Sequence, residues 1–245
     1  MRTAQAHMRS EPVKRFYRTV DVRDEHGAHA LMLDGRAART PGKSRLAAAS
    51  RPLMLKVAEE WARQGETLDP ADMPLTRLLN TAIDGVARRM AATRAEIAAY
   101  AGADLLCYRA EEPEALAERQ RAAFDPVLDW AAERLGARLR QAAGVIHVVQ
   151  PPEALDAVRA ALDQFDDPMA LAALAAMTHL TGSTLLALAV AHGRMTAEEA
   201  WRAAHLDEDF QAERWGVDAE AMARRAARWA EFEAAAEMLV ALGEG

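Results

Sequence analysis

The chain has 245 residues, of which 51% are hydrophobic but only 5% aromatic, and its formal net charge is -7 at pH 7. This length allows one large or two modest domains, and packing by small aliphatic residues favours close-packed helices over a β-sandwich. The net negative charge argues against a nucleic-acid-binding protein, because neutralising phosphates requires a basic face.

The compartment is predicted from the single cysteine and from the amino terminus. Cys107 is the only cysteine, which excludes a disulfide framework and favours a reducing compartment. Residues 1–10 lack the apolar run of a secretory signal. We expect a cytoplasmic protein of a bacterium, or a protein of the mitochondrial matrix if the source is an organelle.

The first 70 residues predict a small antiparallel sheet with one helix. Residues 16–46 alternate with period two between turns, and Asp34-Gly35 is typical of a type I′ hairpin turn. Ser50 before Arg51-Pro52 indicates the start of a helix that covers one face of the sheet, with Gly65 at its end. Residues 66–74 form a loop with two prolines, so we place a domain boundary between residues 70 and 71.

The rest of the chain is predicted to be helical, giving an α+β fold with domains at 1–70 and 71–245. Helical periodicity or capping signals cover residues 75–90, 93–108, 113–135, 153–165, 168–193, 198–216 and 218–243. Residues 145–149 form an isolated strand-like run that we place at the edge of the first sheet. The apolar window 171–191 is long enough for a bilayer, but polar residues interrupt it, so we predict a buried core helix and no membrane insertion.

The helix predicted over 198–216 carries an unusual apolar stripe. At about 100° per residue, Trp201, Glu208 and Trp215 fall within one arc, and Phe210 falls on the opposite side. A carboxylate between two indoles costs free energy unless it finds a partner. Two interpretations remain open: Glu208 pairs with an arginine of its own chain, or it docks onto another protein.

Known catalytic and cofactor motifs do not match. Gly42-Lys43-Ser44 lacks the first glycine of a phosphate-binding loop, and Gly182-Ser183 lacks the second glycine of a nucleophile elbow. The seven histidines form no two-histidine helical zinc motif. We therefore predict no cofactor, no metal and no catalytic residue.

Eight segments, in order, resemble the Atp-twelve family, chaperones for assembly of the soluble head of F-type ATP synthase. They are Lys14-Arg15-Phe16-Tyr17, Leu33-Asp34-Gly35-Arg36 with Thr40-Pro41, Glu60-Trp61 with Gln64, and Met73-Pro74-Leu75-Thr76-Arg77-Leu78 in the first part of the chain. They continue with Asp104-Leu105-Leu106 with Tyr108-Arg109, Asp125-Pro126-Val127-Leu128-Asp129-Trp130, Gly182-Ser183, and residues 206–216.

The resemblance implies a β-rich amino-terminal domain and a larger helical domain, in agreement with the periodicity. It implies an ATP-independent role in which the chain, as a monomer, holds the unassembled alpha subunit until beta subunits join, with no catalysis. Glu208 is the residue it marks as functional, while Glu213 differs from the glutamine of some members. The partner-binding residues expected from the stripe, this segment and the hairpin are Glu208, Trp201, Trp215, Phe210, Gln211, Glu213 and Arg36.

Alternatives remain for the function and for Arg36. Arg36, Thr40 and Pro41, beside the hairpin turn, form a second functional surface, or Arg36 only forms a cross-strand pair within the sheet. A small-molecule enzyme would have its site between the two domains, using Asp34, Arg36 and a carboxylate of the helical domain. A purely structural subunit is a third interpretation. A deep pocket with perturbed pKa values would favour the enzyme, and a shallow apolar groove the chaperone.

Overall fold

The computed structural model describes residues 13–144, 147–216 and 218–243. Its first part is an antiparallel sheet made of β1 (Val20–Glu25), β2 (Ala28–Leu33), β3 (Arg36–Ala37) and β4 (Ala47–Ala48), in which β2 pairs with each of the other three. Asp34 and Gly35, in the turn after β2, have φ of 48° and 77°, as a type I′ turn requires. The predicted hairpin is confirmed.

Ten helices occupy most of the described chain. They are α1 (Arg51–Arg63), α2 (Pro74–Asp84), α3 (Met90–Tyr100), α4 (Glu114–Trp130, continued by a π-helical turn Ala131–Leu135), α5 (Pro152–Leu162), α6 (Pro168–Thr181), α7 (Thr184–Ala191), α8 (Ala197–Ala204), α9 (Leu206–Trp215) and α10 (Ala219–Gly243). A small sheet followed by many helices confirms the predicted α+β class. No helix within the described ranges is long and apolar enough to cross a membrane.

The helix α1 joins the sheet to the helical part of the chain. Ser50 accepts a hydrogen bond from the Leu53 N–H at 3.2 Å, which confirms the predicted cap, and its hydroxyl donates to the carbonyl oxygen of Ala241 in α10 at 2.6 Å. One hydrophobic core then runs from Tyr17 to Ala241. The division into domains 1–70 and 71–245 stays a prediction.

Glu60 in α1 supplies the cap that α2 lacks in its own sequence. Its carboxylate accepts from the backbone N–H groups of Leu75 and Thr76 at 2.7 and 2.8 Å and from the Thr76 hydroxyl at 2.7 Å. Only 2% of Glu60 is exposed. Burial raises the pKa of this carboxyl group, and the hydrogen bonds from Thr76 and Leu75 oppose that rise. A carboxylate in α1 therefore fixes the first turn of α2.

We expect Glu60→Gln to lower the free energy of unfolding by about 1–3 kcal/mol, because the amide NH₂ would face a backbone N–H that needs an acceptor. Denaturant unfolding at pH 7 measures the change. The exposed neighbour Glu59 is the matched control, since Glu59→Gln removes a charge from the same helix without touching α2. Equal stability of the two variants would show that the cap contributes nothing.

The centre of the helical part is α6, which packs against α2, α3, α7 and α10. The prediction of one buried helix over 168–193 is wrong in its continuity. Gly182 ends α6 with φ of 70°, and Ser183 caps a new helix by accepting from the Leu186 N–H at 3.0 Å. The buried Asp104 accepts from Leu185 N–H at 3.1 Å across this break, and burial raises its pKa to about 6.

Two further predictions are corrected. The helix predicted over 93–108, from a capping pair of Thr93 and Glu96, begins earlier, at Met90, and ends at Tyr100, so both residues lie inside α3. Of the strand predicted over 145–149, residues 145 and 146 lie outside the described residues, and 147–149 form no strand. The strand near this position is β6 (Ala142–Ala143), which pairs in parallel with β5 (Tyr108–Arg109) in a separate two-stranded sheet.

Candidate functional site

The helix predicted over residues 198–216 is two helices. The Thr196–Glu199 capping box begins α8 as predicted, and Gly216 follows α9, but the helix breaks at His205, whose φ and ψ are -112° and 17°. The His205 side chain turns back, and its Nδ1 donates to the Trp201 carbonyl oxygen at 2.9 Å. Because the backbone at His205 is not helical, a single helical wheel does not apply across α8 and α9.

Trp201 therefore lies in the core, away from the solvent. It is 6% exposed, and its ring lies 3.9 Å from that of His205, 5.6 Å from Trp229 and 5.4 Å from Phe232, between ring centroids. The predicted stripe that joined it to Glu208 and Trp215 is wrong, because the break at His205 separates the two tryptophans. In this structure a partner protein cannot contact Trp201 directly.

The inner side of α9 is fixed by Phe210. This ring is 4% exposed, and the guanidinium carbons of Arg119 and Arg214 lie 5.1 and 4.2 Å from its centroid. A cation over an aromatic face contributes roughly 0.5–1 kcal/mol at exposed sites. Phe210 is thus an anchor of the helix itself, and the structure does not present it to a partner.

Polar contacts hold the flanks of α9. Gln120 of α4 donates to the Asp207 carboxylate at 2.8 Å. Arg119, also of α4, donates to both carboxylate oxygens of Glu213 at 2.9 Å. On the other flank Arg225 of α10 forms a double hydrogen bond with Asp209. The bond from Arg119 lowers the pKa of Glu213. Exposed ion pairs of this kind stabilise little individually, but together they define how α9 lies on α4 and α10.

Three exposed residues remain on the outer side of α9, and we name them the α9 surface: Glu208, Gln211 and Trp215. On the helix, Gln211 lies roughly 60° and Trp215 roughly 20° from the direction of Glu208. Trp215 is 86% exposed, the largest exposed fraction among the exposed large hydrophobic residues of the described chain. The Glu208 carboxylate has no hydrogen bond or ion pair with any residue the structure describes, and it faces the solvent on the same side of α9 as the Trp215 indole, about two helical turns away.

The structure thus brings together Glu208, Gln211 and Trp215 from the predicted set. It places Trp201 and Phe210 in the interior and Glu213 on the flank, paired with Arg119. Arg36 lies on β3 in the amino-terminal sheet. Whether these residues bind a partner stays a prediction for each of them.

Sequence reasoning missed the break at His205 and the arginines that hold α9. The signal for the break is Asp207-Glu208-Asp209. Acidic residues are favourable in the first turn of a helix, where the backbone N–H groups have no partner within the helix. The triplet marks a helix start after His205. No sequence pattern identified Arg119 and Arg225, because the contacts join residues 94 and 16 positions apart.

Because His205 lies at the break, the stability of the α8–α9 joint should depend on pH. Burial lowers the pKa of His205; the Trp201 carbonyl and Glu208 of α9 oppose that effect, while Arg225 and Arg228 of α10 add to it. A lowered histidine pKa favours the neutral form in the fold, so its stabilisation is complete above the ordinary pKa of about 6.5 and is lost as pH falls through the folded value.

Between pH 7 and pH 5 we therefore expect the free energy of unfolding of the native chain to fall more steeply than that of His205→Gln. The added slope is at most about 1.4 kcal/mol per pH unit, the value for one proton. Urea unfolding at several pH values measures it. Parallel curves for the two proteins would show that His205 does not titrate between the folded and unfolded states.

The arrangement required by the enzyme alternative is not formed. The Asp34 carboxylate accepts from the backbone N–H groups of Thr19 and Arg18 at 2.8 and 3.0 Å, and these bonds lower its pKa. Within residues 13–144, 147–216 and 218–243, those lining the hollow beside Arg36 all lie between Phe16 and Trp61, so the lining includes no carboxylate of the helical part. Among the described residues, no group of three or more His, Cys, Asp or Glu side chains is placed to bind a metal ion.

Comparison with known proteins agrees with this architecture. Residues 14–132 match the family model for the ATP12 chaperone protein. The chain is also similar to the Atu1473 protein of Agrobacterium tumefaciens, named as a candidate chaperone, at 50% identity over 94% of this chain and 86% of that one, with a TM-score of 0.90.

Two structures from Paracoccus denitrificans are similar over nearly their whole length. Atp12 has 44% identity over 94% of this chain and 98% of that chain, with a TM-score of 0.87. An aspartate-to-lysine mutant of Atp12p has 43% identity over 94% and 97% of the two chains, with a TM-score of 0.86. Such identity over almost all of both chains reflects a shared family of chaperones. The chain belongs to the ATP12 chaperone family, which confirms the resemblance to the Atp-twelve family.

Proposed function

We propose that this protein is an ATP-independent chaperone that binds the unassembled alpha subunit of the soluble head of F-type ATP synthase. Family membership supports a chaperone role, and the similar Paracoccus structure is that of Atp12. The observation on which the proposal rests is the α9 surface, where the exposed Trp215 lies on the same side of a firmly held helix as the unpaired Glu208.

The α9 surface has the properties of a binding hot spot. An exposed tryptophan offers a large rigid apolar area, and a nearby carboxylate keeps the empty surface hydrated. When a client covers Trp215, Glu208 loses water and must pair with a cation, so an Arg or Lys of the alpha subunit is the expected partner of Glu208. Gln211 supplies a further hydrogen-bonding group at the same place.

The finer parts of the proposal follow from the same surface. Binding at a preformed helix face requires no nucleotide, so we propose that capture is independent of ATP. One α9 surface per chain is consistent with a monomer that holds one alpha subunit. The bacterial sources of the similar structures support a bacterial cytoplasmic setting.

Aggregation of the alpha subunit tests the proposal. Purified alpha subunit is diluted from denaturant without nucleotide, and light scattering is followed with and without an equal molar amount of this chain. We expect scattering to be suppressed, and subsequent addition of beta subunit to release assembled alpha–beta pairs. Serum albumin at the same concentration is the control. Equal scattering with both proteins, or suppression only when ATP is added, would contradict the proposal.

A further inference from the structure

A second candidate surface lies on the amino-terminal sheet, far along the chain from α9. A hollow of about 670 Å³ near α10 has an acidic rim, whereas the hollow beside β3, of about 620 Å³, is bordered by arginines and aromatic rings. We name the latter the Arg36 hollow; its functional groups come from Phe16, Tyr17, Asp34, Arg36, Arg39 and Trp61. Its lining shares no residue with the α9 surface, so binding at the Arg36 hollow can be tested separately from the proposed function.

One wall of the Arg36 hollow is a fixed set of aromatic rings. Tyr17 is buried, and its hydroxyl donates to the Trp61 carbonyl oxygen at 2.6 Å. Phe16 contacts the Tyr17 ring edge-on at a centroid distance of 5.4 Å, yet 66% of Phe16 is exposed. The contact with Tyr17 holds an apolar ring at the surface. This ring offers a contact for an apolar side chain of a partner.

Two side chains that line the hollow, Arg36 and Trp61, carry donors without acceptors among the described residues. Arg36 is exposed and makes no side-chain hydrogen bond or ion pair with the residues that the structure describes. Within the same residues, the indole Nε1–H of Trp61 is buried without an acceptor. The acid of the hollow, Asp34, is already bound by the backbone N–H groups of Arg18 and Thr19. The Asp34 carboxylate is oriented by these bonds and, among the described residues, forms no ion pair with Arg36, so its charge offsets only one of the two arginines of the hollow.

These charges indicate the chemistry of the ligand. Arg39 adds a second guanidinium to the hollow, and its Nη1 donates to the Lys43 carbonyl oxygen at 2.7 Å, which keeps it at the rim. The hollow thus has a local excess of positive charge in a chain whose net charge is -7. Guanidinium groups bind carboxylates through paired, charge-assisted hydrogen bonds.

We propose that the Arg36 hollow binds an acidic peptide segment of a partner protein. A carboxylate of the segment pairs with Arg36, and an adjacent aromatic or branched aliphatic side chain packs against Phe16. Each element matches a group that lacks a partner in the free chain: an unpaired cation and an exposed ring. Binding requires little loss of conformational entropy in this protein, because the contact between Tyr17 and Trp61 already fixes the aromatic wall of the Arg36 hollow.

Fluorescence anisotropy with a defined probe tests the proposal. The probe is a fluorescein-labelled octapeptide with four glutamates around a central phenylalanine, and the control peptides carry glutamine in place of glutamate or alanine in place of phenylalanine. We expect saturable binding of the probe, weakening as salt is raised, and at least tenfold weaker binding of both control peptides. The full chain is used throughout, without alpha subunit, so failure here leaves the proposed function untouched.

Two substitutions assign binding to the hollow. Arg36→Gln and Phe16→Ala should each weaken binding about tenfold or more. The matched control is Arg51→Gln, which removes an exposed arginine at the opposite end of α1 from Trp61. Circular dichroism of each variant verifies the fold. In a ¹⁵N spectrum, the Trp61 indole signal, assigned through Trp61→Phe, should shift when the probe is added.

Several results would overturn the proposal. Unchanged binding by folded Arg36→Gln, or the same loss in Arg51→Gln, would place the probe elsewhere on the protein. Equal affinity for the glutamine peptide would exclude carboxylate recognition. Displacement of the probe by inorganic phosphate or free glutamate at concentrations matching the peptide would show a simple anion site, and no peptide site.

Discussion

Charge reversal at Glu208 is expected to abolish capture of the alpha subunit and to leave the fold of the chaperone intact. The Glu208 carboxylate is exposed and forms no hydrogen bond or ion pair with the described residues, so Glu208→Lys loses only its favourable place in the first turn of α9 and its longer-range attraction to His205 and Arg225. At the proposed interface the lysine replaces an attraction to a cation of the client by a repulsion, at a position from which the bound client excludes water. Losing a buried interfacial charge pair costs about 2–5 kcal/mol, which corresponds to a loss of affinity of about 30-fold or more.

A pull-down of alpha subunit by tagged chaperone measures this loss. Glu59→Lys is the matched control, because it makes the same change at another exposed glutamate, on α1. We expect the control to retain capture and both variants to remain folded, with the denaturant midpoint of Glu208→Lys lowered only slightly because a cation replaces an acid in the first turn of α9. Normal capture by a well-folded Glu208→Lys protein would remove Glu208 from the partner-binding set.

The two tryptophans of the predicted stripe should behave oppositely. Trp201→Ala is expected to lower the free energy of unfolding by about 3–5 kcal/mol, because it leaves a cavity beside Trp229 and Phe232. Trp215→Ala removes a ring that is 86% exposed, so its unfolding free energy should stay within about 0.5 kcal/mol of the native value. The same Trp215→Ala variant should lose most alpha-subunit capture.

Denaturant unfolding and the pull-down, applied to both variants, separate stability from binding. Trp201→Phe is the conservative control, since a smaller aromatic ring retains part of the packing against His205 and Phe232. Capture by Trp201→Phe, in conditions where it is folded, should equal that of the native chain. A stable Trp201→Ala with defective capture would mean that the interior ring reaches the client after all.

Local signals in the sequence predicted the parts of the fold that depend on a few neighbouring residues. The Asp34-Gly35 turn, the Ser50 cap, the Thr196–Glu199 box and the end of α9 at Gly216 each depend on backbone geometry within about four residues, and each is confirmed. Backbone conformations with positive φ and unpaired N–H groups limit the residues that fit, so such signals transfer directly from sequence to structure.

The candidate site was predicted only in part, because its geometry depends on one break. Glu208 and Trp215 lie on one side of α9 as the periodicity requires, since both belong to the same helix. Trp201 belongs to α8, which the break at His205 separates from α9, and its side chain lies in the interior. Contacts between residues far apart in the sequence could not be predicted from local patterns, as the capping of α2 by Glu60 shows.

The segments that carry the family resemblance are largely joints between elements. Glu60 of one segment caps α2 where the next segment begins. Asp104 accepts from Leu106 N–H within its own segment and from Leu185 N–H beside Gly182-Ser183, and Arg109 donates to Asp125 at 2.7 Å. Many residues of the segments that resemble the family therefore connect elements of the fold to one another. The segment around Glu208 differs, since its central carboxylate has no described internal partner.

The position of α10 has a consequence for biosynthesis. This helix of 25 residues supplies Phe232, Ala235 and Met238 to the common core and covers α2 and α6, which are made well before it. Until α10 leaves the ribosome, those helices present apolar faces to the solvent, and the Ser50 hydroxyl lacks its Ala241 acceptor. A nascent chain of this chaperone is thus itself prone to aggregate, and it reaches its final packing only after translation of α10.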